Sequence, residues 1–244
     1  MGSALSAGQK QTAGVELRDG WRLEVSYYVG AGLGFMPWPG TFALGSFLDA
    51  RCDELRLREL SALELGSGAC TVSGLVAGHL CRSAALTDRP EVIQELGTTV
   101  REAGLSDKVD VKVLDWTDLD FTMSCFRASE IDLILLTDVV YFDMLWKPLL
   151  HTLLLLSTPE TVVLWANCDK YPSFVPDMAA FLELLEEFFD IKVEENMAQV
   201  GFGSPNEVLG GRVLVRRLTL KDAEQAYNEV DRAMTRDCRR RCIP

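Results

Sequence analysis

The segment Leu63-Glu64-Leu65-Gly66-Ser67-Gly68-Ala69-Cys70 sets two glycines between a short apolar run and the helical stretch Thr71–Leu80. A turn of this kind lets a ligand approach the backbone closely at the carboxyl edge of a sheet, where open α/β folds bind their ligands. A tight strand-to-helix connection also uses such glycines, so their spacing alone leaves both readings open. The dinucleotide fingerprint requires a third glycine three places beyond the second, and Thr71 stands there, which disfavours a pyrophosphate cradle. Asp88, in Leu86-Thr87-Asp88-Arg89-Pro90, ends the next apolar run. An acid there can accept hydrogen bonds from both hydroxyls of a ribose, or it can cap the helix that Pro90 would open. A third run ends in Asp115-Trp116, whose indole can lie against a flat base or pack into a core.

Glycine turn, acid and indole together describe a nucleoside ligand without a pyrophosphate. S-adenosylmethionine fits, with its amino-acid portion at the turn, its ribose at Asp88 and its adenine at Trp116. Further residues in step with these are Trp38 before the first core helix and Thr137-Asp138-Val139-Val140-Tyr141. With Glu64-Leu-Gly-Ser-Gly-Ala, Thr87-Asp88 and Asp115-Trp116, they make the chain from Val15 to Leu220 resemble the seven-strand methyltransferases, and more closely the lysine-methyltransferase-like group called methyltransferase family 16.

The resemblance implies an α/β fold of class I: a Rossmann-like seven-stranded sheet with helices on both faces and an N-terminal β-hairpin. It implies S-adenosylmethionine as cofactor, with contacts from Trp38, Gly66, Ser67, Gly68, Asp88, Trp116 and Thr137. Glu64 would help to hold the cofactor's amino group. Asp138 and Tyr141, the Asp-x-x-Tyr motif at the end of the fourth strand, would line the acceptor channel as the catalytic pair. The implied activity is methylation of a lysine on a non-histone protein, with Tyr141 as an aromatic wall and either the Asp138 carboxylate or its backbone carbonyl orienting the amine. Cys70 departs from the pattern, because family members often carry glycine there. A small-molecule methyltransferase and a cofactor-binding scaffold without catalysis are the competing functions, and a strand-end acid with a core tyrosine is the competing reading of Asp138 and Tyr141.

These residues need a frame. Apolar runs at Ala62–Leu65, Ala84–Thr87, Val109–Leu114, Ile131–Thr137 and Thr161–Asn167 alternate with helical stretches such as Glu91–Ala103 and Pro148–Leu156, which predicts βαβ units and a mainly parallel sheet. The nearly continuous apolar run Ile131–Thr137 suits a central strand covered on both faces. Val15–Tyr28 alternates around Asp19-Gly20 and predicts an antiparallel hairpin after a disordered lead-in, Met1–Gly14. Gly30, Gly32 and Gly34 predict a mobile loop that delivers Trp38 to a helix over Thr41–Asp53. A helix over Val175–Phe189, strands at Ile191–Val193 and Gly211–Leu220, and an exposed helix from Lys221 to Arg241 complete the expectation. The methyltransferase domain would span 15–220, with an arginine-rich tail over 221–244 in which Arg239-Arg240-Arg241 is solvated.

The whole chain bounds the remaining choices. Its 244 residues carry 24 Lys and Arg against 36 Asp and Glu, a net charge of −12 that repels a phosphate backbone, so nucleic acid is not an expected partner. Leu149–Leu156, interrupted by His151 and Thr152, falls short of the roughly 20 apolar residues that cross a bilayer. Met1–Gly14 lacks a secretory pattern, and seven cysteines scattered through apolar segments read as reduced thiols. A cytoplasmic monomer is expected. The two histidines, His79 and His151, stand without an activated nucleophile or zinc spacing, so neither a hydrolase triad nor a metal site is expected.

Overall fold

The computed structural model describes residues 10–28, 30–168, 178–198 and 212–241, with the backbone alone for 236–241. The hairpin pairs β1 (Lys10–Glu16) with β2 (Arg22–Tyr28), antiparallel. Its first strand begins inside the stretch expected as a lead-in, because Ala13 as well as Val15 is buried against the first core. After α1 (Pro39–Ala50), strands and helices alternate: β3 (Ser61–Leu65), α2 (Ser73–Leu80), β4 (Ser83–Asp88), α3 (Pro90–Glu102), β5 (Val109–Val113), α4 (Leu119–Cys125), β6 (Leu133–Thr137), α5 (Trp146–Leu156) and β7 (Val162–Cys168). The chain ends in α6 (Met178–Glu186), β8 (Phe189–Ala198), β9 (Arg212–Leu220) and α7 (Ala223–Arg241).

Seven strands form one sheet in the order β5-β4-β3-β6-β7-β9-β8. The five from β3 to β7 are parallel, and β9 runs antiparallel between β7 and β8. The order reverses between β3 and β6. At such a switch point the crossover helices leave on opposite faces and open a crevice at the carboxyl ends of the strands. The period of two in the central strands builds both cores: Leu133 and Leu135 of β6 join one cluster with α1, α2, α3 and the hairpin, while Ile134 and Leu136 join the other with α5, α6 and α7. On α3, buried Val92, Leu96 and Val100 repeat every fourth position and lay one stripe on the sheet.

Four elements differ from expectation. The helix α4 has a single buried residue, Thr122, so no apolar stripe announces it, and Asp118 starts it by accepting from Phe121 N at 3.0 Å. The strand expected at Ile191–Val193 extends to ten residues because it pairs along the length of β9. The helix expected from Val175 is seen from Met178, since residues 175–177 lie outside the described residues, as does Gly211. The side chains of Arg239-Arg240-Arg241 lie outside them too. The glycine-rich loop expected to be mobile contains a short 3-10 turn, Leu33–Phe35, and is tied down at two points described below.

Candidate functional site

The turn after β3 is built from both flanking strands. Gly66 and Gly68 have φ of 69° and 67°, the left-handed region that favours glycine, and a Cβ on Gly66 would stand 2.9 Å from Val139 and 3.0 Å from the Trp116 indole. Ser67 N donates to Thr87 O at 2.9 Å, Thr87 N donates to Ser67 Oγ at 3.2 Å, and Thr87 Oγ1 donates to Glu64 O at 2.6 Å. The turn is thus bolted to the end of β4.

Asp88 receives Gly68 N at 2.7 Å on one oxygen and Arg89 N at 2.7 Å on the other. The helix-cap reading does not hold: Arg89 occupies the N-cap of α3, without a side-chain bond. Burial raises the Asp88 pKa above the ordinary carboxylate value, while the Gly68 and Arg89 N–H groups pull the other way. Each oxygen keeps a second lone pair, which is what two ribose hydroxyls would use.

Glu64 takes a different place from the one the resemblance implies. It is 1% exposed, does not line the cavity, and accepts from Ser73 Oγ at 2.5 Å and Thr71 Oγ1 at 2.8 Å. Burial pushes its pKa up to about 7 against those bonds. It props the glycine turn and α2 from beneath.

The first turn of α1 holds the opposite wall. Thr41 Oγ1 accepts from Val72 N at 2.8 Å and Ser73 N at 2.9 Å, and so serves as the cap that α2 lacks from its own N-cap residue. Gly40 N donates to Asp138 Oδ2 at 2.5 Å, and Cys168 N donates to Asp138 Oδ1 at 3.0 Å. A Cβ on Gly40 would meet that same carboxylate oxygen at 2.5 Å, so only glycine fits. Asp138 is 3% exposed and sits at φ 51°, a left-handed conformation uncommon outside glycine. Its carboxylate therefore fastens α1 and β7 to the end of β6 while also lining the cavity. Trp38, the N-cap residue of α1, donates its Nε1 to Leu33 O at 2.9 Å, and Ala69 N donates to Gly34 O at 2.7 Å. These bonds tie the glycine-rich loop to the site. At the departure from the family pattern, the Cys70 thiol donates to Ser26 O at 3.4 Å and so joins the turn to the hairpin; burial pushes its pKa up to about 12.

These elements enclose one cavity of about 340 Å³ at the carboxyl edge, within the range of roughly 300–1,000 Å³ common for small-ligand sites. Trp38, Gly66, Ser67, Gly68, Asp88, Trp116, Thr137, Asp138 and Tyr141 all line it, so every residue singled out as catalytic or cofactor-binding comes together here. Thr41, Gly34 and Val139 line it as well; the sequence placed them in a helix, a loop and a motif without singling them out as site residues. Burial holds the Tyr141 phenol above its ordinary pKa and the Asp88 carboxylate pushes the same way, so the phenol stays neutral near pH 7. His79 is elsewhere, stacked on Trp21 with centroids 4.4 Å apart and bonded to Asp19 at 2.7 Å. His151 stands 3.4 Å from Glu229 of α7. Among the described residues no group of three or more His, Cys, Asp or Glu could hold a metal, and no helix is long and apolar enough to cross a membrane.

The fold is shared with solved structures that include the YcgJ protein of Bacillus subtilis (TM-score 0.55, 11% identity, covering 75% of this chain and 98% of that one). Another is TYW2 of P. horikoshii in complex with MeSAdo (TM-score 0.51, 12% identity, 85% and 71%). Sheet order, glycine turn and cavity are those of the class I methyltransferases, which use S-adenosylmethionine. A family model described as lysine methyltransferase matches residues 17–188, and the chain belongs to this lysine methyltransferase family. Its relatives include proteins named protein N-lysine methyltransferase METTL21A. The one from Mus musculus is 32% identical over 181 residues, 72% of this chain and 75% of that protein. The one from Xenopus tropicalis is 26% identical over 182 residues, 72% and 78%.

Proposed function

We propose that this enzyme transfers a methyl group from S-adenosylmethionine to the side-chain amine of a lysine on a non-histone protein, acting as a cytoplasmic monomer that does not engage nucleic acid. The observation that carries the reading is the convergence of the glycine turn, Asp88, Trp116 and Tyr141 on one cavity at the switch point of the sheet. Relatives named as protein N-lysine methyltransferases support the acceptor, and the net charge of −12 supports a protein rather than a nucleic-acid partner.

When bound, S-adenosylmethionine supplies an electrophilic methyl group on a sulfonium, open to in-line displacement. The Gly66–Gly68 turn receives the amino-acid portion on bare backbone. Asp88 would hold the ribose hydroxyls, and Trp116 would pack against the adenine. Thr137 and Trp38 line the remaining walls, which would hold donor and acceptor together and exclude water between them. A lysine of ordinary pKa 10.4 is protonated at pH 7, and deprotonating it costs roughly 4–5 kcal/mol. Desolvation against Val139, Tyr141 and Phe142 lowers that cost by disfavouring the ammonium form. The neutral Tyr141 hydroxyl can accept a hydrogen from the amine and aim its lone pair. Asp138 acts here as a positioning residue, through α1 and Trp38.

Incubation with radiolabelled S-adenosylmethionine and a cell lysate, followed by acid hydrolysis and amino-acid analysis, tests the reading. Label in methyllysine is expected. Label confined to small molecules would turn the assignment to a small-molecule methyltransferase, and cofactor binding without turnover would turn it to a scaffold.

A further inference from the structure

The mouth of the cavity carries exposed apolar side chains to which the cofactor contacts proposed above assign no role. Leu33, Phe142 and Met144 are 39%, 45% and 77% exposed. Leu33 and Phe142 line the cavity, and Met144 lies between Phe142 and another lining residue, Leu145, on the short 3-10 turn Asp143–Leu145. That turn is anchored from behind, since Trp146 Nε1 donates to Val140 O at 3.0 Å and the Tyr141 and Phe142 rings meet edge to face at 4.8 Å. Large apolar groups presented on a fixed turn beside a polar cleft mark an interaction surface, and an unbranched methionine adapts to varied partners.

Carboxylates outnumber cations around them, with Arg89 and Lys147 the nearby basic side chains. Asp88, Glu91, Asp115 and Asp138 line the cavity against Arg89, and Arg89 is itself paired with Glu91 at 3.0 Å. Asp143 adds a carboxylate beside Met144, in a chain of net charge −12. Such a field draws cationic segments and repels acidic ones. The surface is also continuous with the site that receives the acceptor amine.

We propose that Leu33, Phe142 and Met144 form a docking lip for the substrate segment flanking the acceptor lysine, and that this segment is basic with a large apolar side chain next to the lysine. The proposal rests on the lysine-transfer reading above. Desolvation of that apolar side chain on the lip fixes the segment, while the surrounding carboxylates steer it and hold its cations.

The test uses synthetic peptides with one central lysine, flanked by arginine or by glutamate, with leucine or serine beside the lysine, and tritiated S-adenosylmethionine. The wild-type enzyme is compared with Met144→Glu and Asp143→Lys, neither of which lines the cavity; calorimetry should give both a cofactor affinity within about twofold of wild type. The arginine-flanked leucine peptide is expected to take up most label. Met144→Glu should raise its KM about tenfold, equivalent to about 1.4 kcal/mol, with kcat within about twofold. Asp143→Lys should raise the KM of arginine-flanked peptides, and so should added salt. Equal uptake by arginine- and glutamate-flanked peptides, or an unchanged KM in Met144→Glu, overturns the lip and leaves lysine transfer standing. No uptake into any peptide by enzyme that binds cofactor counts against lysine transfer itself, and the lip falls with it. A concentration-dependent dimer that Met144→Glu dissolves, with peptide kinetics unchanged, assigns the lip to a second copy of the chain and overturns the proposal.

Discussion

At Asp138 the carboxylate receives two backbone N–H groups, from Gly40 and Cys168. Asparagine tolerates the left-handed conformation that Asp138 adopts, so Asp138→Asn tests the acceptors rather than the backbone. Its amide can satisfy one N–H but presents a donor to the other, and an unmet buried donor costs about 1–3 kcal/mol. We expect lower thermal stability and weaker S-adenosylmethionine binding by calorimetry, because α1 and Trp38 lose their seat. Unchanged cofactor affinity with reduced kcat would return Asp138 to the acceptor. Glu64 predicts a pH effect. Its folded pKa of about 7 lies above the ordinary 4.5, so its protonation favours the folded state below pH 4.5 and that contribution is lost as pH rises through 7. At 1.36 kcal/mol per unit the loss approaches about 3 kcal/mol. Glu64→Gln should keep an acceptor for Ser73 or Thr71 and flatten the fall in Tm between those pH values; an unaltered slope would contradict this. The sequence marked the Asp-x-x-Tyr segment, which lines the cavity, whereas the bond from Gly40 to its acid was not legible, since Gly40 lies 98 residues earlier.

The hinge of the site at the level of elements is the first turn of α1, which caps α2 through Thr41 and receives Asp138 through Gly40. Thr41→Val removes the hydroxyl and keeps the shape, and should lower the unfolding free energy by about 1–2 kcal/mol, while Thr41→Ser should hold it. Denaturant titration reads both, and equal stability of the two variants would show that the cap contributes nothing. Local capping rules look one turn ahead, but this cap arrives from 31 residues away, so it left no trace in the sequence near α2. The central strands were legible because their apolar runs reflect burial on both faces. Of the helices α3 was clear from its stripe, and α4 was missed because its Phe121 and Met123 are exposed.

Across the whole molecule, the sheet order places β3 and β6 side by side, and from that reversal follow the cavity, the glycine turn and the Asp-x-x-Tyr segment as one site. Its seven strands were legible from alternation, and the antiparallel course of β9 was not, because direction depends on pairing rather than on local pattern. Cofactor at about a hundred times its Kd should stabilise the fold by about 2.7 kcal/mol, and Asp88→Ala should lose most of that gain in a thermal shift assay. An equal shift in the variant would remove Asp88 from the binding site. The most direct measurement is a crystal structure of the protein with S-adenosylhomocysteine. We expect both ribose hydroxyls on Asp88 and the adenine against Trp116, with the sulfur facing Tyr141; a nucleoside bound elsewhere, or a cleft beside Gly66 left empty at saturating ligand, would contradict the account.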